Sequence, residues 1–196
     1  SGTYYENINF EGKNITLKGE SRKNTIIDGN NSGPVVNISN GETNDAKLVN
    51  FTLINGYSNH GAGIYAQNSS PFLDSLIIKD CYSTGDLDGG GARLTGNAIL
   101  SNSILINNSG RKGGALLLSD STIVQNCIIV NNEGRESGAA LQLMGGVQTI
   151  TNTVIVENYG GSTIHCQGCD ADIINSTISN VRNTNFYFSI TSQNFC

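Results

Sequence analysis

The chain has 196 residues, a formal net charge of −5 and only 14% charged side chains. Its 11 Lys and Arg residues are outnumbered by 16 Asp and Glu residues, so the composition argues against nucleic-acid binding, which needs a basic surface. No apolar stretch approaches the roughly 20 residues that a membrane-spanning helix requires. The length suits one domain with a well-buried core.

The N-terminal segment already has the character of a β-strand. Its first residues, SGTYYENINF, show no signal-peptide pattern. We therefore expect residues 1–196 to form a single domain that has been excised or processed from a larger secreted protein.

From residue 48 onward the sequence repeats itself about every two dozen residues. An apolar residue, a spacer and an Asn or Asp precede a short aliphatic run, as in LVNFTLI, LSNSILI and VQNCIIV. Successive Asn or Asp positions are separated by 24, 28, 24, 26 and 23 residues. They are Asn50, Asp74, Asn102, Asn126, Asn152 and Asn175. Short β-type runs alternate with Gly, Asn and Ser turns, and no run is long enough for a helix.

A second, glycine-flanked run precedes each of the last five of these positions and holds its own register. The runs read GAGIYA, GGGARL, GALLL, AALQL and STIHC. One such unit cannot bury its apolar side alone, but stacked units can. The pattern therefore predicts an all-β fold, a right-handed parallel β-helix of about eight coils stacked about 4.8 Å apart.

The repeated Asn has a physical role in such a coil. Asn tolerates the left-handed backbone of a sharp corner, and stacked amides can hydrogen-bond to one another inside the rod. We predict that Asn50, Asn102, Asn126, Asn152 and Asn175 form a structural ladder. Asp74 would be a weak point or an outward-turned rung, because an ionised carboxylate cannot donate onward.

Two known groups of proteins show a similar pattern. The stretch GTYYENINFEGKNITLKGESRKNTIIDG resembles the first coils of pectin-lyase-like, right-handed β-helix proteins. The segments GAGIYAQNSSP, GGGA and GGAL resemble the repeats of polymorphic outer-membrane proteins and related bacterial surface β-helices. The resemblance implies the fold and an extracellular or cell-surface location in a bacterium. It does not select a function, because this fold hosts lyases, hydrolases, adhesins and spacers.

Alternation places one residue of each glycine-flanked strand on the outside of the coil. Stacked, this row reads Asn37, Tyr65, Arg93, Leu117, Gln142, His165 and Tyr187. In the pectin-lyase-like family such a face commonly binds polysaccharide. The resemblance thus implies that Tyr65, Arg93, Gln142, His165 and Tyr187 contact a polysaccharide or cell-surface glycan. The alternative is a solvated sheet face without a ligand.

A lyase would need more than a binding face. It must neutralise a uronate carboxylate, with Ca²⁺ or a basic side chain, and it needs a base that abstracts a proton. Asp86 and Asp88, in the loop STGDLDGGG that leads to Arg93, are the candidate calcium ligands, and Arg93 is the candidate catalytic residue. The same composition is typical of an exposed turn. Glycan or surface binding and adhesion is therefore the expected function, without a cofactor, and a uronate lyase and a ligand-free spacer are the alternatives.

The aliphatic runs form three adjacent columns that cannot all face inward from a flat strand. They are Thr52/Leu76/Ile104/Ile128/Val154, Leu53/Ile77/Leu105/Ile129/Ile155 and Ile54/Ile78/Ile106/Val130/Val156. Either at least one column is an exposed apolar ridge, suited to self-association or another partner, or a bend turns two columns inward.

The five cysteines leave at least one thiol unpaired within the domain. We predict a disulfide between Cys169 and Cys196 that pins the last coil, and an inert buried thiol at Cys127. The CQGC pair at Cys166 and Cys169 resembles a redox or zinc half-site. However, it has no second pair at zinc-finger spacing, and it lies in a strand rather than at a helix.

Overall fold

The structure, a computed structural model, describes residues 1–86 and 88–179 and, for the backbone alone, residues 188–191. In this part of the chain 28 strands form four sheets, and no helix occurs. Every strand pairs in parallel with the corresponding strand of the next turn, so the fold is the predicted parallel β-helix. The seven strands of sheet 2 mark about seven turns, against the eight that the sequence predicts.

Each complete turn passes through four sheets, which we number in the order in which the chain enters them from Ile8 onward. Sheet 1 consists of Ile8–Asn9, Val36–Asn37, Ile64–Ala66, Ala92–Leu94, Leu116–Ser119, Leu141–Met144, Ile164–Gln167 and Phe188–Thr191. Sheet 2 consists of Thr16–Lys18, Lys47–Val49, Phe72–Asp74, Ile99–Ser101, Ile123–Gln125, Val147–Thr151 and Asp170–Ile174.

Sheets 3 and 4 complete the turn. Sheet 3 consists of Gly2–Tyr5, Thr25–Asp28, Thr52–Ile54, Ile77–Lys79, Ile104–Ile106, Ile128–Val130, Val154–Val156 and Thr177–Ser179. Sheet 4 is shorter and consists of Tyr57–Ser58, Tyr82–Ser83, Ser109–Lys112, Glu133–Ser137 and Tyr159–Gly160.

The core is a set of stacked aliphatic rows that fill the inside of the coil. Leu48, Leu73 and Leu100 stack on sheet 2, and Leu105 and Ile129 stack on sheet 3, all fully buried. Burying a Leu or Ile side chain contributes about 1.5–3 kcal/mol, which is why a unit that cannot close a core alone is stable in a stack.

The predicted corner residues adopt the left-handed backbone. Their φ angles are 66° at Asn50, 51° at Asn102, 55° at Asn126, 50° at Asn152 and 49° at Asn175. They are exposed or half-buried, and among the described residues only one amide-to-amide bond joins them, from Asn175 Nδ2 to Asn152 Oδ1 at 2.6 Å. The corner prediction is therefore confirmed, but a ladder inside the rod at these positions is wrong.

The coil that contains Asp74 is shifted by one residue relative to the predicted alignment. Asp74 pairs with Val49 and Ser101, and Ser75 occupies the corner with φ 55°. The shift places Leu73 in the core row, where the sequence alignment puts Phe72.

Asp74 is an outward-turned residue that accepts hydrogen bonds. Ser101 Oγ and Asn102 Nδ2 donate to its Oδ1, both at 2.7 Å. Burial alone would raise the pKa of Asp74, but these bonds, one from Ser75 and the charge of Arg22 lower it. The carboxylate thus strengthens its corner instead of weakening it.

An internal asparagine ladder does exist, at the next corner, between sheets 3 and 4. Asn108, Asn132 and Asn158 are at most 1% exposed and stack in register. Asn132 Oδ1 accepts from the backbone N–H and from Nδ2 of Asn108, and its own Nδ2 donates to Leu105 O and to Asn158 Oδ1, each at 3.0 Å. Each amide thus satisfies backbone groups of the preceding turn, and Asn132 and Asn158 also donate to a carbonyl of their own turn.

The aliphatic columns of sheet 3 face alternately in and out. In the shifted coil the three residues are Ile77, Ile78 and Lys79, so Ile78 joins the buried central column. Both outer columns point outward, and Ile128 and Val154 are 44% and 38% exposed. An exposed apolar ridge is therefore confirmed, and the bend that would turn two columns inward is wrong.

The cysteines pair differently from the prediction. Cys169 is bonded to Cys166, three residues earlier, across the turn between sheets 1 and 2, with their Cα atoms 5.6 Å apart. The predicted Cys169–Cys196 disulfide is therefore wrong, because Cys169 pairs with Cys166, which lies much nearer in the same turn. Cys196 itself lies outside the described residues. Cys81 and Cys127 are buried thiols, and burial raises the pKa of Cys127 to about 11.

The described part of the chain contains no helix that is long and apolar enough to cross a membrane.

Candidate binding groove

The predicted outward row of sheet 1 is present in the structure. Tyr65 pairs with Arg93 in the next turn, and Gln142 pairs with His165 two turns further on. The full register is Asn37, Tyr65, Arg93, Leu117, Gln142, His165 and Ser189. The row thus continues at Ser189, and Tyr187 lies outside the described residues.

The middle of this row is closed to solvent. Leu117 and Gln142 are 1% and 0% exposed although their strands point them outward. Ser137 Oγ, at the end of a long sheet 4 strand, donates to Gln142 Oε1 at 2.8 Å. Gly113 has φ 72°, and an added Cβ there would lie 3.1 Å from the Cβ of Gln142. The turns that join sheet 4 to sheet 1 therefore fold over the row, and Gln142 is not placed to contact a large ligand.

His165 is separated from the open end of the row. Burial, followed by the charge of Lys112, lowers the pKa of His165. Leu117 and Gln142 lie between it and Arg93 in the stack. The structure therefore keeps Tyr65 and Arg93 together but does not bring His165 to them.

An open groove of about 510 Å³ lies beside Tyr65, where sheet 4 turns into sheet 1. Its lining residues are Asn59, His60, Thr84, Gly85, Asp86 and Arg93. Arg93 and Asp86 were expected at a site from the sequence. Asn59, His60 and Thr84 were not, because they follow sheet 4 strands and the repeat gives no register for these loops.

Two loops in successive turns build the walls of the groove. Thr84 Oγ1 donates to Asn59 Oδ1 at 2.7 Å, and Ser83 Oγ donates to the carbonyl of His60, also at 2.7 Å. A Cβ at Gly85 would lie 1.8 Å from the carbonyl oxygen of Asn59, so only glycine permits this approach. The loops are therefore fixed to each other before any ligand binds.

The imidazole of His60 stacks on the ring of Tyr65. Their centroids are 5.1 Å apart, and the planes differ by 20°. Tyr65 also directs its hydroxyl to the side chain of Gln67. Arg93 pairs with Tyr65 in the adjacent rung and lines the same groove as His60. The sequence signal for this pair is the short spacing between His60 and Tyr65 in NHGAGIY.

Asp86 belongs to a chain of ion pairs that crosses three turns. The guanidinium of Arg111 contacts the carboxylates of both Asp86 and Glu136. The Asp86 side chain is 78% exposed, so each pair contributes at most about 1 kcal/mol to stability. Arg111 fixes the position of the carboxylate at the rim of the groove more than it stabilises the fold.

Asp88 has a different role, because it is fully buried. Its carboxylate accepts from the backbone N–H groups of Arg111, at 3.1 Å, and Lys112, at 2.9 Å. Burial raises the pKa of Asp88 above its ordinary value, although bonds from Lys112, Arg111 and Ser83 and the charge of Arg135 oppose the increase. Asp88 thus attaches the groove loop to sheet 4.

The two carboxylates predicted to bind calcium therefore each have partners within the chain. Among residues 1–86 and 88–179, no group of three or more His, Cys, Asp or Glu side chains could hold a metal ion.

A tyrosine stack lies on sheet 4 next to the groove. The rings of Tyr57 and Tyr82 are nearly parallel, with centroids 5.8 Å apart. The guanidinium carbon of Arg135 lies 4.6 Å from the centroid of Tyr82. Tyr57 and Tyr82 are 46% and 41% exposed. Exposed aromatic rings of this kind are enriched at binding surfaces, where their apolar body and polar tip are both used.

No protein-family model matches the chain. Comparison with curated proteins and with solved structures gives no significant match either. These comparisons therefore do not support the expected resemblance to pectin-lyase-like proteins or to outer-membrane repeats, and the parallel β-helix is what the structure establishes.

Proposed function

We propose that the protein is a glycan-binding module of an extracellular or cell-surface β-helix of the pectin-lyase-like type, and that the groove between sheets 4 and 1 is its binding site. The observation that supports this most strongly is an open groove lined by His60 and Arg93, in which the imidazole of His60 is stacked on the ring of Tyr65.

The chemistry of the groove suits a sugar. A pyranose ring has an apolar C–H face and a rim of hydroxyl groups, so it needs an aromatic surface surrounded by donors and acceptors. Tyr65 and His60 supply the aromatic surface. Asn59 and Asp86 supply acceptors, and Arg93 supplies a fixed set of donors. Small-molecule sites typically combine an apolar surface with a small number of convergent polar groups.

The scaffold supports tight binding because the groove is preorganised. The hydrogen bonds from Thr84 to Asn59 and from Ser83 to His60 hold the two loops, and Arg111 holds Asp86. Side chains that are already ordered lose little entropy when a ligand binds.

An extracellular location agrees with the cysteine chemistry. If Cys166–Cys169 is a structural disulfide, it belongs to a class of bond that persists in oxidising compartments and is rare in the cytosol.

The first test is retention of the protein on a panel of immobilised polysaccharides that includes polygalacturonate, alginate and xylan. We expect at least one polymer to retain the wild type, and Tyr65→Ala and Arg93→Ala to weaken its affinity by about tenfold each, equivalent to about 1.4 kcal/mol. Ile128→Ser, on the exposed face of sheet 3, is the matched control and should bind like the wild type. Equal retention of all four proteins would contradict the proposed site, and no retention at all would favour the ligand-free spacer.

A uronate lyase is the second candidate, because His60 and Arg93 line the same groove. Arg93 could neutralise the uronate carboxylate while the imidazole of His60 removes the neighbouring carbon-bound proton. The electrons of that C–H bond would form a carbon–carbon double bond, the glycosidic C–O bond would break, and the leaving oxygen would take a proton from water.

The lyase is tested by the ultraviolet absorbance of the unsaturated product, with and without added Ca²⁺, on the same uronate polymers. A rise that His60→Ala and Arg93→Ala both abolish would establish the lyase. No rise with a polymer that is nevertheless retained would establish binding without turnover.

A further inference from the structure

We propose that the tyrosine stack of sheet 4 is a second subsite of the same glycan surface, with Tyr57 as its platform. The ligand would then be a chain of several sugar residues that runs from the groove across sheet 4, not a single terminal sugar. This inference depends on the proposed glycan-binding function and extends it to the length of the ligand.

The stack and the groove are continuous because they are built from the same two segments. Asn59 follows Tyr57 by two residues, and Thr84 follows Tyr82 by two residues. Asn59 lies at a bend directly after the strand Tyr57–Ser58, and Thr84 directly follows the strand Tyr82–Ser83, so each groove residue is at most about 7 Å along the chain from its tyrosine. This distance is comparable to the length of one sugar residue in a chain, so neighbouring sugars could occupy the groove and the stack together.

Tyr57 is the ring whose outer face is available. Its strand is the first one of sheet 4, and among the described residues the only backbone pairing beyond it is an isolated bridge to Gly33, which has no side chain. Tyr82 lies between the ring of Tyr57 and the guanidinium of Arg135, so both of its faces are occupied. A sugar can therefore stack on Tyr57 from the side of Gly33.

Tyr82 and Arg135 act as positioning residues for this platform. Arg135 Nη1 donates to Ser109 Oγ and Nη2 donates to the carbonyl of Ser83, both at 2.8 Å. The guanidinium is thus fixed from two sides while it lies on Tyr82. A fixed cation on one side of the stack keeps the ring of Tyr57 in a defined orientation on the other.

The alternative is that the stack only stabilises the coil, as cross-strand aromatic pairs do. The chain offers a matched control for this alternative. Tyr159 lies in the same column and is 37% exposed, and its neighbour in the preceding turn is Glu133 and not a tyrosine. Removal of Tyr159 should therefore perturb an exposed sheet 4 tyrosine without removing the proposed platform.

The experiment is calorimetric titration with three series of oligosaccharides, galacturonate, alginate and xylose oligomers, each from disaccharide to hexasaccharide. We expect the wild type to bind the longer members of at least one series roughly five- to tenfold more tightly than the disaccharide. Tyr57→Ala should abolish this gain but keep the affinity for the disaccharide. Tyr57→Phe and Tyr159→Ala should retain the gain, and thermal unfolding checks that each variant is folded.

Each other outcome has a defined meaning. A wild type that binds the disaccharide and the hexasaccharide equally, or a gain in affinity that persists in Tyr57→Ala, would overturn the second subsite and leave the groove proposal intact. Binding of none of the three series by the wild type would overturn both. Arg93→Ala should weaken binding at every length, which separates loss of the groove from loss of the platform.

Discussion

Sheets 3 and 4 are neighbours in every complete turn, yet they differ in regularity and in chemistry. From Thr52–Ile54 to Thr177–Ser179, the strands of sheet 3 have three residues each and keep an unbroken register. Sheet 4 has five strands of unequal length, and its register shifts between Gly110 and Lys112. Sheet 3 carries aliphatic rows, whereas sheet 4 and its loops carry tyrosines, arginines, a histidine and the groove. The comparison teaches that the strict repeat builds the rod, and that the side chains with binding chemistry collect where the repeat is relaxed.

The buried asparagine ladder connects these two regions, and its loss should have the largest effect on stability. We expect Asn132→Leu to lower the free energy of unfolding by about 3–5 kcal/mol, because it leaves buried groups of Asn108 and Leu105 without partners. The matched control is Asn126→Leu at the exposed corner between sheets 2 and 3. It should cost only about 1–2 kcal/mol, the strain of a left-handed Leu. Urea unfolding measures both variants, and equal costs would contradict the distinction between the two corners.

The next effect concerns the pH dependence of stability at the attachment between the groove loop and sheet 4. Burial raises the pKa of Asp88 above its ordinary 3.8, so above that pH the folded protein holds a proton that the unfolded chain has lost. The free energy of unfolding should therefore fall as the pH rises from about 4 through the raised pKa. Asp88→Asn should flatten this part of the profile.

Glu42 provides a control, because its pKa is shifted in the opposite direction from that of Asp88. Burial alone would raise the pKa of Glu42, but hydrogen bonds from Ser69 and from the backbone at Asn40 and Gly12 lower it below 4.5. Its contribution to stability is therefore present above pH 4.5 and is lost as the pH falls through the lowered pKa. Glu42→Gln should remove that acid-side loss. A profile that Asp88→Asn leaves unchanged would contradict the role assigned to Asp88.

A smaller effect is expected at the rim of the groove. Arg111→Ala removes two exposed ion pairs, so the free energy of unfolding should fall by less than about 1 kcal/mol. Because Asp86 loses its partner, affinity for a retained glycan should nevertheless decrease. Urea unfolding and calorimetric titration on the same sample separate the two effects. A large loss of stability would show that Arg111 supports the fold and not the site.

The smallest effect is an absence of reaction at the buried thiols. Burial raises the pKa of Cys81 to about 12 and that of Cys127 to about 11. Iodoacetamide at neutral pH should therefore leave both thiols unmodified in the folded protein and modify them after denaturation. Mass spectrometry of peptides provides the readout, and rapid native modification of Cys81 would contradict its place in the core.

Much of sheet 3 was predictable from the sequence, because its residues alternate around a buried central column and repeat at a nearly constant spacing. The left-handed corners were predictable because Asn is one of the few residues that tolerate them. The one-residue shift at Asp74 was not predictable from the sequence. Both alignments place an apolar residue in the core row, and only packing selects Leu73 over Phe72.

The site was less predictable, for two physical reasons. The pairs Asn107–Asn108 and Asn131–Asn132 read equally well as turn residues or as a corner followed by a ladder, and burial alone separates these roles. The closure over Gln142 and the approach of His60 to Tyr65 each join residues five apart in the segment between sheet 4 and sheet 1. The length of this segment changes from turn to turn, so the repeat does not encode its conformation.

The measurement that tests the central claim most directly is an NMR titration of the labelled protein with the glycan that the panel retains, following the backbone amides of sheets 3 and 4 together. We predict shift changes at Asn59, His60, Tyr65, Thr84 and Arg93, and none along the outer columns of sheet 3. Changes along Ile104, Ile128 and Val154, with an unperturbed groove, would contradict the assignment of binding to the irregular side of the rod.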